Sequence, residues 1–571
     1  MKNENKYIKS LISKMTLDEK VGALLTLGFC GTLARPHIYE FITKYHCGGL
    51  RLSPTSRTFG AYVNPKSGKT VVDVSDDMGY KKGVNPPTTT AMQYKKLLEE
   101  FQELAMSRPH GIPLHFSYDQ EGGTSSDFDF SGVNIFTKPM GIRATGDSKL
   151  AYEVALAVSK QSKAVGFNWI HSPVIDINVE PSNPEIYTRA YSDRVEEVVE
   201  YSEQSCLGFK EGGLIATGKH FPGRGDSPVD AHFEVPVINV SKETMLKREL
   251  LPYKALIAKD LLPSIMIAHS IFPAFDSENI ATVSKKIITG LLREELKFEG
   301  VIATDSMTMG AIATKYGVAN ACALSLQAGA DLVLMKAEGS LVEETFNTIK
   351  QFVQEGKIST EELDKKVYRV LNTKYEYGLF HHETMTDEKP EDVINDKRIV
   401  ALSKLVAKKS VLVARDRNNL LPLSKDEKIL VIEQINKTPN DFSWHPGILL
   451  KECTKYNKNV AYLETSYTFD EDDIENIKRR IKDYDTIVVT NFYIRGKLSN
   501  NEIIKEIVSD KSKKVILVTN TPYEVLSIPK EADSVIITFA TSPANIEVTA
   551  GVIFGEIIPE GEWPIEYKLS E

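Results

Sequence analysis

At 571 residues the chain is roughly four times the ~150 of an average domain, which gives it length for two or three cores and excludes a small metal- or disulfide-stapled fold. Its 69 basic residues against 78 acidic ones leave a formal charge of −9, and 42% hydrophobic with 26% charged residues is an ordinary globular composition, not that of a disordered chain. That balance excludes a general attraction for nucleic acid or for an anionic membrane surface.

The first nine residues carry Lys2, Lys6 and Lys9, and the segment 10–29 is interrupted by Lys14, Asp18, Glu19 and Lys20, with no signal-peptide cleavage pattern. No apolar run reaches the ~20 residues needed to span a bilayer. Cys30, Cys47, Cys206, Cys322 and Cys453 are scattered, odd in number and free of any CxxC, which points to a reducing compartment and a cytoplasmic protein. The stretch 60–87, rich in Gly, Pro, Asp and Lys, reads as a long excursion, either a wall of a substrate entrance or a plain surface insertion. From Tyr94 to Met106 the apolar residues Leu97, Leu98, Phe101, Leu104 and Ala105 recur at helical spacing and predict a sheet-covering helix.

Short apolar runs follow at 112–119, 166–170, 213–220, 264–270, 300–306 and 330–336, each separated by enough chain for a crossover helix, as parallel strands require. Several end in polar residues: Asp119, Lys219 with His220, His269, and Asp305. In a (β/α)8 barrel such ends collect on one rim, and in an open doubly wound sheet they also face the ligand, so the pattern fits both. A polar stretch after Phe380 interrupts this rhythm, with His381 and His382 lacking companions at metal-ligand spacing. Five further runs, at 410–416, 428–434, 485–492, 513–520 and 533–540, suit a separate α/β sandwich. The expected division is a barrel over 1–380, a linker over 381–400 and a sandwich over 401–571.

No GxGxxG, Walker, HExxH or calcium-loop pattern is present, so neither a nucleotide nor a metal site is expected. Two segments carry chemical content. KHFPGRGDSPVDAHFEVP (219–236) places Asp226, Asp230 and His232 on a Gly/Pro-rich loop after a strand, where they form either a site or a set of caps on backbone amides. VIATDSMTMG (301–310) ends a strand at Asp305, a residue that would otherwise cap the following helix.

Together with MTLDEKVGALL (15–25), YDQEGG (118–123), PVIDINVEPSNPEIYTRAYS (173–192), NNLLPL (418–423) and FGEIIPEGEWPIEY (554–567), these segments make the chain resemble glycoside hydrolase family 3, in its β-N-acetylglucosaminidase branch. The resemblance implies a (β/α)8 TIM-barrel-like catalytic domain followed by an α/β sandwich. It implies Asp305 as nucleophile, His232 as acid/base oriented by Asp230, Asp119 as a ligand of sugar hydroxyls, and Arg189, Lys219 and His220 as further substrate contacts, with Asp176 in support. Two departures stand beside the sugar site. Thr124 and Ser125 follow DQEGG where the family often has arginine, and Arg224 follows KHFPG where the branch commonly has histidine. Arg224 then meets either an acidic substituent or phosphate acceptor, or Asp226 or another loop acid in an ion pair.

The implied activity is that of a retaining exo-β-N-acetylglucosaminidase acting on small glycoconjugates or cell-wall fragments, without metal or organic cofactor and without nucleic-acid or membrane partners. A phosphorylase, a β-glucosidase and a noncatalytic sugar-binding protein are its rivals. The second domain is expected to pack against the first or shape the substrate entrance.

Overall fold

The computed structural model describes residues 5–54, 89–231, 234–337, 339–381, 388–435, 447–495 and 501–571; the stretch 60–87 read as an excursion lies outside them. Among the described residues, ten strands precede residue 340: β1 (Leu25–Cys30), β2 (Gly49–Ser53), β3 (His115–Tyr118), β4 (Trp169–Ile170), β5 (Ile215–Phe221), β6 (Ser264–Ile267), β7 (Ile271–Phe272), β8 (Asp276–Ile280), β9 (Val301–Thr304) and β10 (Val333–Met335). Eight of them pair in parallel in the order β10-β1-β2-β3-β4-β5-β6-β9, and β7 and β8 form a separate hairpin. A parallel bridge between Ala303 and Leu332, with the Thr304 amide donating to the Leu332 carbonyl at 3.0 Å, brings β9 back to the start of β10 and closes the ring. All carboxyl ends therefore open on one mouth.

The sequence showed six of these eight strands. It merged β1 with the helix Leu17–Ala23, because only Leu24 separates them within one apolar run. It missed β2 because Arg51 interrupts the apolar pattern of Gly-Leu-Arg-Leu-Ser, although every residue of that strand is buried. The surrounding helices follow local signals. Thr16 with Glu19 and Thr90 with Gln93 form reciprocal capping boxes on the helices Leu17–Ala23 and Ala91–Met106, and the latter buries Tyr94, Leu98, Phe101 and Ala105.

A second sheet of six strands follows: β11 (Leu412–Asp416), β12 (Ile429–Gln434), β13 (Val460–Thr465), β14 (Thr486–Thr490), β15 (Lys514–Thr519) and β16 (Ser534–Ile537). Its order is β11-β16-β15-β14-β12-β13, with only β11 antiparallel to its neighbour. The strand that sequence periodicity did not show is β13. It lies at the edge and is half-buried along most of its length, so it lacks the continuous apolar run of its neighbours.

The two sheets share cores. Met140, Ala144 and Tyr187 from the barrel side pack in the same cluster as Leu430 and Ile487 of the second sheet and Phe539 beyond β16, and Ile394, Ile399 and Val406 pack into the barrel cluster. Polar ties add register: Asn178 Nδ2 donates to Tyr523 Oη at 2.9 Å, Ser192 Oγ to the Pro564 carbonyl at 2.9 Å, and the Glu566 amide to Asp193 at 2.9 Å. The range 381–400 contains the helix Pro390–Ile394, whose Pro390 and Ile394 are buried. All five cysteines are buried and none is in a disulfide, and among the described residues no helix is long and apolar enough to cross a membrane.

A chain ended at Phe380 strips Ile394, Ile399 and Val406 from the barrel and leaves Met140, Ala144 and Tyr187 uncovered. At about 1.5–3 kcal/mol per large apolar side chain, that loss rivals the net stability of a domain. The truncated chain is expected to show no cooperative melt by calorimetry; a monomer melting at the temperature of the full chain would contradict this reading of the interface.

Candidate active site

The mouth of the ring is lined by polar side chains delivered by the strand ends. Arg51 stands on β2, Asp119 directly after β3, His171 after β4, Lys219 and His220 near the end of β5, His269 after β6, Asp305 after β9 and Lys336 after β10. Two glycines permit close approaches of the connecting loops. Gly122 has φ of +100°, and a Cβ there would lie 2.3 Å from the Thr137 carbonyl; at Gly225 it would lie 1.6 Å from the Ile177 carbonyl, so the 219–236 loop seats against the 173–192 segment only with glycine at that point.

One side of the mouth is a chain of alternating charge. Arg51 Nη2 reaches both Asp119 Oδ2 and, at 2.7 Å, Asp127 Oδ2. Lys219 Nζ lies 2.8 Å from Asp119 Oδ1 and 2.6 Å from Glu121 Oε1. Arg189 closes the row with two bonds to Glu121, Nε to Oε2 at 2.7 Å and Nη2 to Oε1 at 3.0 Å. Burial alone would raise the Asp119 carboxyl, but Lys219 and Arg51 hold it well below the ordinary carboxylate range. Glu121, also buried, is brought down to about 2 by Arg189 and Lys219. Asp127 moves the other way, raised by burial and by the adjacent Asp119 charge against the pull of Arg51. His171, 3.7 Å from Asp119, is pushed by burial down to about 3 and is neutral at pH 7.

The other side is centred on Asp305. Its Oδ1 accepts from the Ser306 amide at 2.7 Å, and its Oδ2 faces Arg224 Nη1 at 4.0 Å. Burial would raise this carboxyl, yet His269, His220 and Arg224 hold it far below its usual value, so it is ionised across the physiological range. His220 is oriented by Asp176, with Nδ1 and Oδ2 2.7 Å apart. The other Asp176 oxygen accepts from the Arg224 amide at 2.7 Å, which accounts for Asp176 as a supporting residue. Arg224 does not pair with Asp226, which goes instead to Arg248 at 2.5 Å; Arg224 Nη2 binds Glu185, and its Nη1 is buried without a hydrogen-bond partner.

Among the expected contacts, Asp119, Arg189, Lys219, His220, Arg224 and Asp305 thus line a single mouth. Asp230 is buried on the loop after β5, its carbonyl accepting from the Glu234 amide at 3.2 Å; His232 lies outside the described residues. The sequence reading missed Arg51, Glu121, Glu185 and two residues of the second domain. Tyr493, beyond β14, donates through Oη to the Pro184 carbonyl at 2.7 Å, and Arg495 Nη1 stands 3.9 Å from Glu185 Oε1. The available signal for Arg51 was a charge in the middle of an apolar run, which in a buried strand requires an anionic partner. Among the described residues, no group of three or more His, Cys, Asp or Glu is arranged to hold a metal ion.

Replacing Arg51 by methionine leaves Asp119 and Asp127 facing each other without their shared cation. Breaking a buried pair this way costs about 3–5 kcal/mol, and the loss should appear in urea unfolding at pH 7. The sign with pH follows from Asp119: its lowered pKa stabilises the parent above the unfolded carboxylate range and that contribution fades in acid. The two proteins should therefore converge as pH falls below about 4. Equal stability at pH 7 would remove Arg51 from this role.

Comparison with known proteins agrees with this architecture. The glycosyl hydrolase family 3 N-terminal domain model matches residues 16–373. β-Hexosaminidase A of Pseudoalteromonas piscicida is 29% identical over 303 residues, 49% of this chain and 50% of that protein. The β-N-acetylglucosaminidase/β-glucosidase of Cellulomonas fimi is 26% identical over 337 residues, 57% of this chain and 59% of that protein. The matched region thus spans between half and three-fifths of the length of these two relatives. Among solved structures, a glycoside hydrolase family 3 β-N-acetylglucosaminidase from Paenibacillus sp. str. FPU-7 superposes with a TM-score of 0.84 at 26% identity, covering 98% of this chain and 100% of that one. The chain belongs to glycosyl hydrolase family 3.

Proposed function

We propose that the protein is a retaining exo-β-N-acetylglucosaminidase that removes a terminal β-linked N-acetylglucosamine from a small glycoconjugate or cell-wall fragment in the cytoplasm. The observation that carries this reading is Asp305: a carboxylate at the barrel mouth, one oxygen held by the Ser306 amide and the other facing Arg224, in a field of positive groups that keeps it charged. Asp305 attacks the anomeric carbon as the glycosidic bond breaks, forming a glycosyl ester; water then attacks the same carbon from the opposite face and releases the carboxylate, with net retention. His232, oriented by Asp230, donates a proton to the departing oxygen and takes one from the incoming water. Asp119, whose side chain is 32% exposed, is the open member of the charge row and receives sugar hydroxyls, while Lys219 and Arg189 hold it and Glu121 in place. The reading is supported by the named activities of the relatives and of the Paenibacillus structure. Five buried cysteines outside any disulfide support a reducing compartment.

Turnover of 4-nitrophenyl glycosides of N-acetylglucosamine and glucose, with and without phosphate, tests the substrate and the acceptor. Preference for the N-acetylglucosaminide with free sugar as product is expected; a preference for glucose, or sugar 1-phosphate as the main product, overturns the assignment. Asp305→Ala should lose about 10³-fold or more in kcat, with azide restoring turnover as the inverted glycosyl azide. Near-normal activity in that variant would remove the nucleophile.

A further inference from the structure

Beside Asp305 lies a histidine that this reaction scheme does not use. His269 follows β6 and is fully buried, and both ring nitrogens lie in hydrogen bonds: Nδ1 with Thr282 Oγ1 at 2.6 Å and Nε2 with the Ser306 carbonyl oxygen at 3.0 Å. A carbonyl oxygen has no proton to give, so Nε2 carries the hydrogen of its bond. Thr282 Oγ1 also donates to the Ala268 carbonyl at 2.9 Å. A hydroxyl has one proton: given to the Ala268 carbonyl, it leaves Thr282 to meet Nδ1 with a lone pair, and Nδ1 supplies the hydrogen; given to Nδ1, it leaves the buried Ala268 carbonyl without that donor. The first arrangement gives the ring, the hydroxyl and both carbonyls a partner, and it protonates both ring nitrogens.

We infer that His269 is a positioning residue held as an imidazolium, whose fixed charge and hold on the Ser306 peptide keep Asp305 ionised and aimed. The inference rests on Asp305 being the nucleophile. The hold runs through one residue: Ser306 offers its carbonyl to His269 and its amide to Asp305 Oδ1 at 2.7 Å. The charge is consistent with its surroundings, because a buried imidazolium requires a nearby anion and Asp305 supplies one. The Arg224 guanidinium and the imidazoles of His269 and His220 oppose the effect of burial at Asp305. Among the described residues, the charged and titratable groups at this corner include Asp305 from the end of β9, His220 from β5 and Arg224 from the loop after it, while Thr282 and the carbonyls of Ala268 and Ser306 are neutral partners. A fixed cation serves both halves of the reaction, since Asp305 must be anionic to attack and must depart as an anion when water displaces it.

Neutron diffraction from deuterated crystals of the wild-type protein at pH 7 reads the ring without requiring turnover. Deuterium on both Nδ1 and Nε2 is expected, and deuterium on one nitrogen alone overturns the inference. The functional half is read from kcat/KM against pH with 4-nitrophenyl N-acetyl-β-glucosaminide for His269→Gln and Thr282→Val, the second of which removes the acceptor of the Nδ1 hydrogen. The acid limb should move up by about one pH unit or more, and kcat should fall ~10- to 100-fold with KM within about threefold. A folded variant whose acid limb stays with the parent overturns the positioning role. If neither variant folds, the neutron result decides. Loss of the nucleophile reading is seen separately, as retained activity in Asp305→Ala.

Discussion

The ammonium of Lys219 sits between two carboxylates, Asp119 and Glu121, and the rest of the mouth is arranged around that contact. A buried lysine needs anions, and two buried carboxylates need more than one cation, so Arg51 and Arg189 complete a row of alternating sign drawn from three strand ends and a separate loop. In a low-dielectric setting each member is held by its neighbours, which gives loop residues the fixity of strand residues. The row also explains why so few of the polar groups are open: most donors already have partners, and Asp119 is the most exposed member.

Asp305 is placed differently. It meets positive groups through space, with Arg224 at 4.0 Å, and its one short bond is to a backbone amide. Its charge is stabilised by a field more than by a partner that would block an oxygen. Two carboxylates at one mouth thus have different environments and different suitability, one as a ligand of hydroxyls and the other as an attacking group. Glu185 links this side to the second domain, accepting from Arg224 and the Ala231 amide while Arg495 approaches from beyond β14.

What could be read from the sequence follows from how each group is buried. Strands β3, β5, β6, β9 and β10 lie between the helices and the barrel interior, so they appear as short runs rich in apolar residues, and the polar residues at their ends pointed directly to Asp119, Lys219, His220 and Asp305. Arg51 hid its own strand, because a charge inside an apolar run looks like a loop until its two aspartates are seen. Glu121 and Glu185 occupy loops whose residues meet their partners only after the ring closes. Tyr493 and Arg495 come from another domain, a relation that no local pattern records. The pairing of Asp230 with His232 came from family resemblance alone. His269 was visible as a strand-end residue, but its proton count depends on Thr282 and two carbonyls that only the folded chain brings together.

The shared cluster of Met140, Ala144 and Tyr187 with the second sheet has a consequence for synthesis. The barrel leaves the ribosome first, with this apolar face bare and with Ile394, Ile399 and Val406 still to be translated. During that interval the nascent chain carries apolar surface that its own later residues must cover, which makes the order of translation part of how the two domains come together.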